Sequence, residues 1–322
     1  MTQIRIILPC PPMKKGRAWG DWYFGHSLGD ALERQGCTVR YTYRHSNRLR
    51  RLKAWMLRLV SRDDVEVVIR GSVAWKPLPW KRCVQWVISQ TDTLERETLR
   101  AFDHVFFGSD RYMAEHSASC KSASLLLQCT DSTCFVPNAT GPETEVLFVG
   151  NRRPYAKRDV VKRAIEAGFK VSVWGKGWDG EIPETSYAGS HIKNKELSAH
   201  YASARVVLND HTADMRRDGF VSNRVYDVLA SGTPVVTEDM PGIPADLRPY
   251  LFLYSNEKEL IERLTEAKEA SPERRMELKT FADVVRQEHS FDRRASTILE
   301  VVSGLNEATN AMNNQTALKP GG

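Results

Sequence analysis

Short apolar runs, mostly β-branched or aromatic, recur along this chain, each followed by a loop and a helix-length segment. That rhythm constrains the fold more than any other feature. Residues 4–8, 39–43, 65–69, 84–89, 103–108 and 124–128 form one series, and 145–150, 170–174, 205–209, 233–237 and 251–254 a second. Helices are expected between them, at 23–35, 158–167, 195–204 and 257–270 among others. Strands covered on both faces and interleaved with helices make parallel sheets. Such sheets hold ligands at the carboxyl ends of their strands. The expected fold is therefore α/β, with two doubly wound domains facing across a cleft, the loops after Leu8, Ile69 and Ser89 forming walls on the first side.

Proline and glycine in residues 137–143 (PNATGPE) mark the expected linker, giving an N-terminal domain at 1–140 and a C-terminal domain at 145–289. A last amphipathic helix, 290–305, is expected to pack back towards the first domain. Residues 306–322 hold too little apolar surface to fold and are expected to be disordered. At 322 residues, 41% hydrophobic and 27% charged, the composition is that of a soluble globular chain with room for two cores. No apolar run reaches the roughly 18 residues of a membrane span, and the six cysteines show no metal spacing, so a cytoplasmic protein with reduced thiols is expected. The net charge of +6 favours an anionic partner.

Residues 218–239 (DGFVSNRVYDVLASGTPVVTED) condense a loop, a helix start, a glycine stop and a buried strand. Ser222 or Asn223 can cap the helix, whose apolar face is Val225, Val228 and Leu229. Gly232 stands where a left-handed cap is expected. Helix N-termini attract anions, and Arg224 lies in this helix's first turn with Asp227 one turn inside. Residues 150–158 (GNRRPYAKR) carry four basic side chains out of a strand's carboxyl end, suited to phosphate. The alternative is a solvated basic loop. Two anion sites on one crevice suit a diphosphate. In residues 174–178 (WGKGW) the glycines permit close backbone approach, and a Trp can either stack on a base or fill the core. No Walker loop or G-x-G-x-x-G follows a strand.

The second half resembles the nucleotide-sugar domain of a GT-B glycosyltransferase of the family-4 type, and more closely its CgeB-like branch. Arg152 and Lys157 have the R-x4-K spacing, 227–236 matches the second half of the E-x7-E/A-x-G-x-P-V-V segment, and 174–178 and 222–227 fit the branch's G-x-G-W and S-N-R-[VF]-[FY]-[DE] patterns. Residues 127–131 and 207–211 are also similar to segments of that branch. The resemblance implies two Rossmann-like domains and transfer of a sugar from a UDP- or GDP-linked donor to a saccharide, lipid-linked or small-molecule acceptor, retaining and without a metal. It assigns Arg152, Lys157, Ser222, Asn223 and Arg224 to the donor diphosphate, and Asp227, Gly175 and Trp178 to the ribose or nucleotide. The pattern's second acidic residue is Asp here, and Asp218 sits nine positions before it instead of eight.

In the acceptor half, Asp21 and His26 are the candidate catalytic residues, as base or orienting group; a helix cap and a helix-face packing residue are the alternatives. Arg70 and Asp92 are further candidates. Residues 44–62, from Arg44 to Arg62, form a basic stretch with Leu49, Leu52, Met56 and Leu59 on one side and Arg48, Arg51, Trp55, Arg58 and Arg62 near the other. It can pack on the sheet or lie on an anionic membrane surface at the inner face; nucleic acid is not the favoured partner. A nucleotide-sugar epimerase of the same fold and a non-catalytic nucleotide-sugar-binding protein stay open.

Overall fold

The structure is a computed structural model that describes residues 1–12, 19–44, 55–56, 58–59, 61, 63–71, 74–154 and 156–317. The chain divides into two compact units: unit 1 is Met1–Leu126 with Phe291–Gly322, and unit 2 is Leu127–Ser290.

Unit 1 contains β1 (Gln3–Leu8), α1 (Gly20–Arg34), β2 (Thr38–Tyr43), β3 (Val65–Ile69), β4 (Cys83–Val87), β5 (His104–Phe107), α2 (Asp110–His116) and β6 (Ala123–Leu125). Its sheet runs β2-β1-β3-β4-β5-β6, every neighbouring pair parallel. All five residues of β3 and of β4 are buried, as unalternating strands require. Gly36, at φ 82°, ends α1 as expected. The final helix, α9 (Phe291–Ala317), belongs to this unit. Arg34 grips Asp292 with two 2.8 Å bonds, Phe24 meets Phe291 edge-on at 4.9 Å, and Ala295, Ile298 and Val302 are buried. The helix extends beyond the Leu305 boundary read from the sequence; no proline or glycine interrupts the chain between Gly304 and Pro320.

Unit 2 contains β7 (Thr144–Val149), α3 (Asp159–Glu166), β8 (Val171–Trp174), β9 (Tyr187–Gly189), α4 (Asn194–Ser203), β10 (Ala204–Leu208), α5 (Ala213–Asp218), α6 (Asn223–Ala230), β11 (Val235–Glu238), β12 (Phe252–Tyr254), α7 (Glu257–Lys268) and α8 (Pro272–Glu288). The sheet order is β12-β11-β10-β7-β8-β9, again wholly parallel. Asn256 caps α7 as expected, its Oδ1 accepting from the Glu259 N–H (3.0 Å), while Glu259 reaches back to the Ser255 N–H (2.7 Å) instead of the N-cap amide. The Ser271 hydroxyl caps α8 ahead of Pro272.

Unit 2 starts before the proline- and glycine-marked segment at 137–143. The preceding residues are bound into its core: Phe135 is 4% exposed, the Thr130 hydroxyl donates to Asp227 (2.8 Å), and the Val136 N–H donates to Ser198 (3.2 Å). Turn-forming composition marks a surface bend there, not the place where contacts change hands.

Most of residues 44–62 lies outside the described residues. Of those described, Arg58 is not on a solvated face: it is 4% exposed and holds both oxygens of Glu66, at 2.5 and 2.6 Å. Met56, placed on the inward stripe, is half exposed. The faces are thus reversed at these two positions, because a buried carboxylate demands the arginine. No described helix is long and apolar enough to cross a membrane. None of the six cysteines is in a disulfide.

Candidate functional site

The unit 2 sheet changes direction of growth between β7 and β10, which is where a doubly wound sheet opens its ligand crevice. Three segments meet there: residues 150–158 after β7, 209–212 after β10, and the start of α6.

Asn209 organises the crevice. Its Nδ2 donates to Thr237 Oγ1 (2.9 Å), while its Oδ1 accepts from Arg224 Nη1 (2.7 Å) and Ser222 Oγ (3.2 Å). Arg224 is thereby held beside Gly150, where an added Cβ would stand 3.3 Å from Arg224 Nη2 and 3.0 Å from the Phe148 ring. Glycine keeps that approach open.

Arg158 arrives from the other side. It and Gln90 are the two non-glycine residues in left-handed conformation among the described residues, Arg158 at φ 61°. Its Nη1 donates to Asp210 Oδ1 (2.5 Å) and its Nε to the Asn151 carbonyl (3.4 Å). Burial lowers the Arg158 pKa and raises that of Asp210, so their mutual attraction only partly offsets the loss of water. The charge of Arg224 also bears on Arg158. An added anion would satisfy both arginines.

His211 and Glu238 complete the floor. Glu238 accepts from the backbone N–H of His211 (3.1 Å) and from its Nδ1 (3.0 Å), and Arg216 Nη1 donates to Glu238 Oε1 (3.0 Å). Burial would raise the Glu238 pKa, but the His211 and Arg216 contacts override it and hold the carboxyl below its ordinary value. The other ring nitrogen, Nε2, accepts the Ser222 N–H at 3.1 Å, which leaves Nδ1 as the donor to Glu238.

Several of the expected site residues have partners within the protein. Ser222 is the N-cap of α6, yet its side chain caps nothing. The first N–H groups are not directed outwards either: Ser222 N–H goes to His211 and Asn223 N–H to Gln128 Oε1 (3.0 Å). Trp178 is 1% exposed, its indole N–H donates to the Gly150 carbonyl (2.9 Å), and it packs edge-on against Phe148 at 5.8 Å; it supports the crevice wall and offers no stacking face. Gly175 is backbone for the same wall, since an added Cβ would fall 2.2 Å from the Gly150 carbonyl oxygen. Asp227 is 5% exposed, and its oxygens accept from Thr130 Oγ1 (2.8 Å) and Asn223 Nδ2 (3.3 Å), so it faces the interior instead of a ribose. Burial raises its pKa well above the ordinary value.

Arg152 sits on the β8 side of the loop, 2.9 Å from Glu181, and its buried Nε has no hydrogen-bond partner. Lys157 is exposed, and its charge also acts on Glu181. Arg152 and Lys157 therefore gather at Glu181, whereas Arg158 lies at Asn151 and Asp210 and Arg224 at Gly150 and Asn209. Arg158 is one of the four basic side chains of 150–158, but the R-x4-K spacing singles out Arg152 and Lys157, and it assigns no role within 209–211. The available signal was Asn209-Asp210-His211 directly after an apolar strand, at its carboxyl end.

In unit 1, Asp21 lies in the first turn of α1, where its charge acts on Cys10 and Arg44. His26 is stacked between Trp22 (3.8 Å) and Tyr41 (4.0 Å), and its Nε2 meets the Tyr43 hydroxyl at 3.0 Å. Burial lowers its pKa. This is a half-buried histidine packed among aromatic rings.

Two six-stranded, wholly parallel sheets, one per unit, give the α/β construction of the GT-B glycosyltransferases. Residues 152–300 match a family model described as glycosyl transferase-like. A sucrose-phosphate synthase from Thermosynechococcus elongatus is similar over 96% of this chain and 100% of its own, with TM-score 0.69 and 14% identity. AviGT4, a glycosyltransferase involved in avilamycin A biosynthesis, covers 94% of this chain and 97% of its own, at TM-score 0.67 and 14% identity. The DNA-modifying β-glucosyltransferase, solved with and without uridine diphosphoglucose, covers 94% and 100% at TM-score 0.61 and 13% identity. No curated protein sequence matches the chain. At these identities the likeness establishes the fold.

Proposed function

We propose that the chain is a glycosyltransferase that moves a sugar from a UDP- or GDP-linked donor to an acceptor hydroxyl, with retention of configuration and without a metal. One observation carries this reading: Arg224, held at Gly150 and Asn209, and Arg158, held at Asn151 and Asp210, come from separate segments to adjacent positions at the switch point of the unit 2 sheet. As the bond to the anomeric carbon breaks, the departing diphosphate gains negative charge, and fixed cations lower the barrier to that step. Arg158 and Arg224 lie nearest the developing charge, and Arg152 and Lys157 extend the basic wall. His211 and Glu238 are positioning residues: they hold the first turn of α6 and, through it, Arg224. The similar β-glucosyltransferase takes uridine diphosphoglucose, which supports a donor of this class.

A second reading is a nucleotide-sugar-binding protein without turnover. It is favoured by the two carboxylates of α5 and α6, since Asp218 is paired with Arg217 and Asp227 with Thr130. Calorimetry with UDP, GDP and pyrophosphate, followed by NMR of UDP- and GDP-sugars with the protein, separates the readings. Binding with transfer or slow hydrolysis at retained configuration is expected. Absence of nucleotide binding by the wild-type chain sinks both.

A further inference from the structure

Glu181 closes the turn after Trp178, its N–H donating to the Trp178 carbonyl (3.0 Å). Two cations from separate segments meet one of its oxygens: Lys162 Nζ, on α3, at 2.7 Å and Arg152 Nη2 at 2.9 Å, both at Oε2. The backbone of Arg152 is pinned beside the same turn. Its N–H donates to the Lys176 carbonyl (2.9 Å), and its carbonyl oxygen lies 2.5 Å from where a Cβ on Gly177 would stand. The side chain can therefore change partner by rotamer while its backbone stays in place.

This pairing is half of what an arginine can make. Arg34 holds Asp292, and Arg58 holds Glu66, each through Nε and Nη2 with one carboxylate oxygen apiece. Arg152 meets Glu181 through Nη2, and its Nε is buried with no hydrogen-bond partner. A guanidinium fork is matched by two oxygens, so the contact leaves one prong without water and without an acceptor. Both side chains are also partly exposed, where an ion pair contributes little. A phosphate group, with several oxygens to offer, can take both prongs. The exchange does not strand the carboxylate either, because Lys162 stays on it. The Lys162 contact, helped by the charges of Arg152 and Lys157, holds the Glu181 carboxyl below its ordinary value, so it is ionised at neutral pH.

We propose that Glu181 is a built-in competitor of the donor diphosphate for Arg152: its carboxylate holds the guanidinium in the free protein, and the diphosphate displaces it onto Lys162 alone. The identity of the anion rests on the glycosyl-transfer reading above. After transfer, the freed nucleoside diphosphate carries more charge than the donor did, and recapture of Arg152 by Glu181 speeds its departure.

The test is calorimetric titration of the full chain with pyrophosphate and UDP. Glu181→Gln, which keeps the shape and an acceptor for Lys162, should tighten both by about two- to fivefold, the scale of a partly exposed ion pair. Asp179→Asn, at an exposed carboxylate on the same turn, controls for loss of charge as such and should gain less. In a chain carrying Arg152→Gln, adding Glu181→Gln should gain no more than Asp179→Asn does. Equal or weaker binding by Glu181→Gln overturns the proposal, since a carboxylate that positions Arg152 for the ligand gives that result. An equal gain from Asp179→Asn, or a gain that survives Arg152→Gln, overturns it too. In each of these cases the wild type still binds and the diphosphate reading stands. Absence of binding from the wild type and Glu181→Gln alike removes the diphosphate reading and the competition with it.

Discussion

Glu238 holds His211 twice, by the backbone N–H at 3.1 Å and by ring Nδ1 at 3.0 Å, so that Nε2 is left to accept the first amide of the α6 turn. A carboxylate at the end of one strand thus sets the tautomer of a histidine after the next, and through it the position of Arg224.

This arrangement gives the folded protein an acid-sensitive term. The Glu238 pKa lies below its ordinary value of 4.5, because His211 and Arg216 outweigh burial. The resulting stability is fully present above the unfolded value and is lost as the pH falls through the lowered folded value. Melting temperature measured from about pH 6 to about pH 3 should therefore fall less steeply in Glu238→Gln than in the wild type. An identical acid limb in both proteins would contradict this.

Arg224→Gln should weaken UDP or GDP binding by about 1.5–3 kcal/mol, the scale of a charged hydrogen bond, or roughly ten- to a hundredfold. Arg152→Gln should cost less, since Glu181 already takes that guanidinium. Calorimetry on both variants decides the order; a larger loss from Arg152→Gln would return the diphosphate to the R-x4-K pair.

Asp227→Ala leaves the buried hydroxyl of Thr130 without its acceptor. It should lower stability by about 1–3 kcal/mol and change the affinities for UDP and pyrophosphate by equal factors. A loss confined to UDP would restore the ribose role to this carboxylate.

Gly175 occupies φ 151° with the Gly150 carbonyl oxygen 2.2 Å from any added Cβ. Gly175→Ala should cost at least about 1–3 kcal/mol from the backbone alone and loosen the wall that Trp178 buttresses. Gly304 offers the opposite case, helical with nothing within 4 Å of an added Cβ; Gly304→Ala should stabilise by about 0.5–1 kcal/mol. Denaturant melts of both variants check the contrast.

Much of the architecture was legible from local pattern. Unalternating runs such as 65–69 and 145–150 announce buried parallel strands, and Asn256 with Glu259 announces a helix start, because these depend on neighbours in sequence. The crevice was legible as a place, through residues 150–158 and 222–224. Which side chains turn into it was not. Arg158 reaches Asp210 through a left-handed backbone conformation that a non-glycine residue seldom adopts. His211 depends on Glu238, 27 positions away, and Trp178 closes on a carbonyl 28 positions away. Such pairings are set by sheet order, which no short-range pattern encodes. The packing of His26 was hidden for the same reason: its partners Tyr41 and Tyr43 arrive on the neighbouring strand.

The split ownership of the chain bears on biosynthesis. Unit 2 is one unbroken segment, Leu127–Ser290, while unit 1 needs the residues from Phe291 onwards to clamp α1 through Asp292. During translation the whole of unit 2 therefore exists before the residues from Phe291 that cover α1 have been made, so α1 stays uncovered while the segment between the two halves of unit 1 is synthesised.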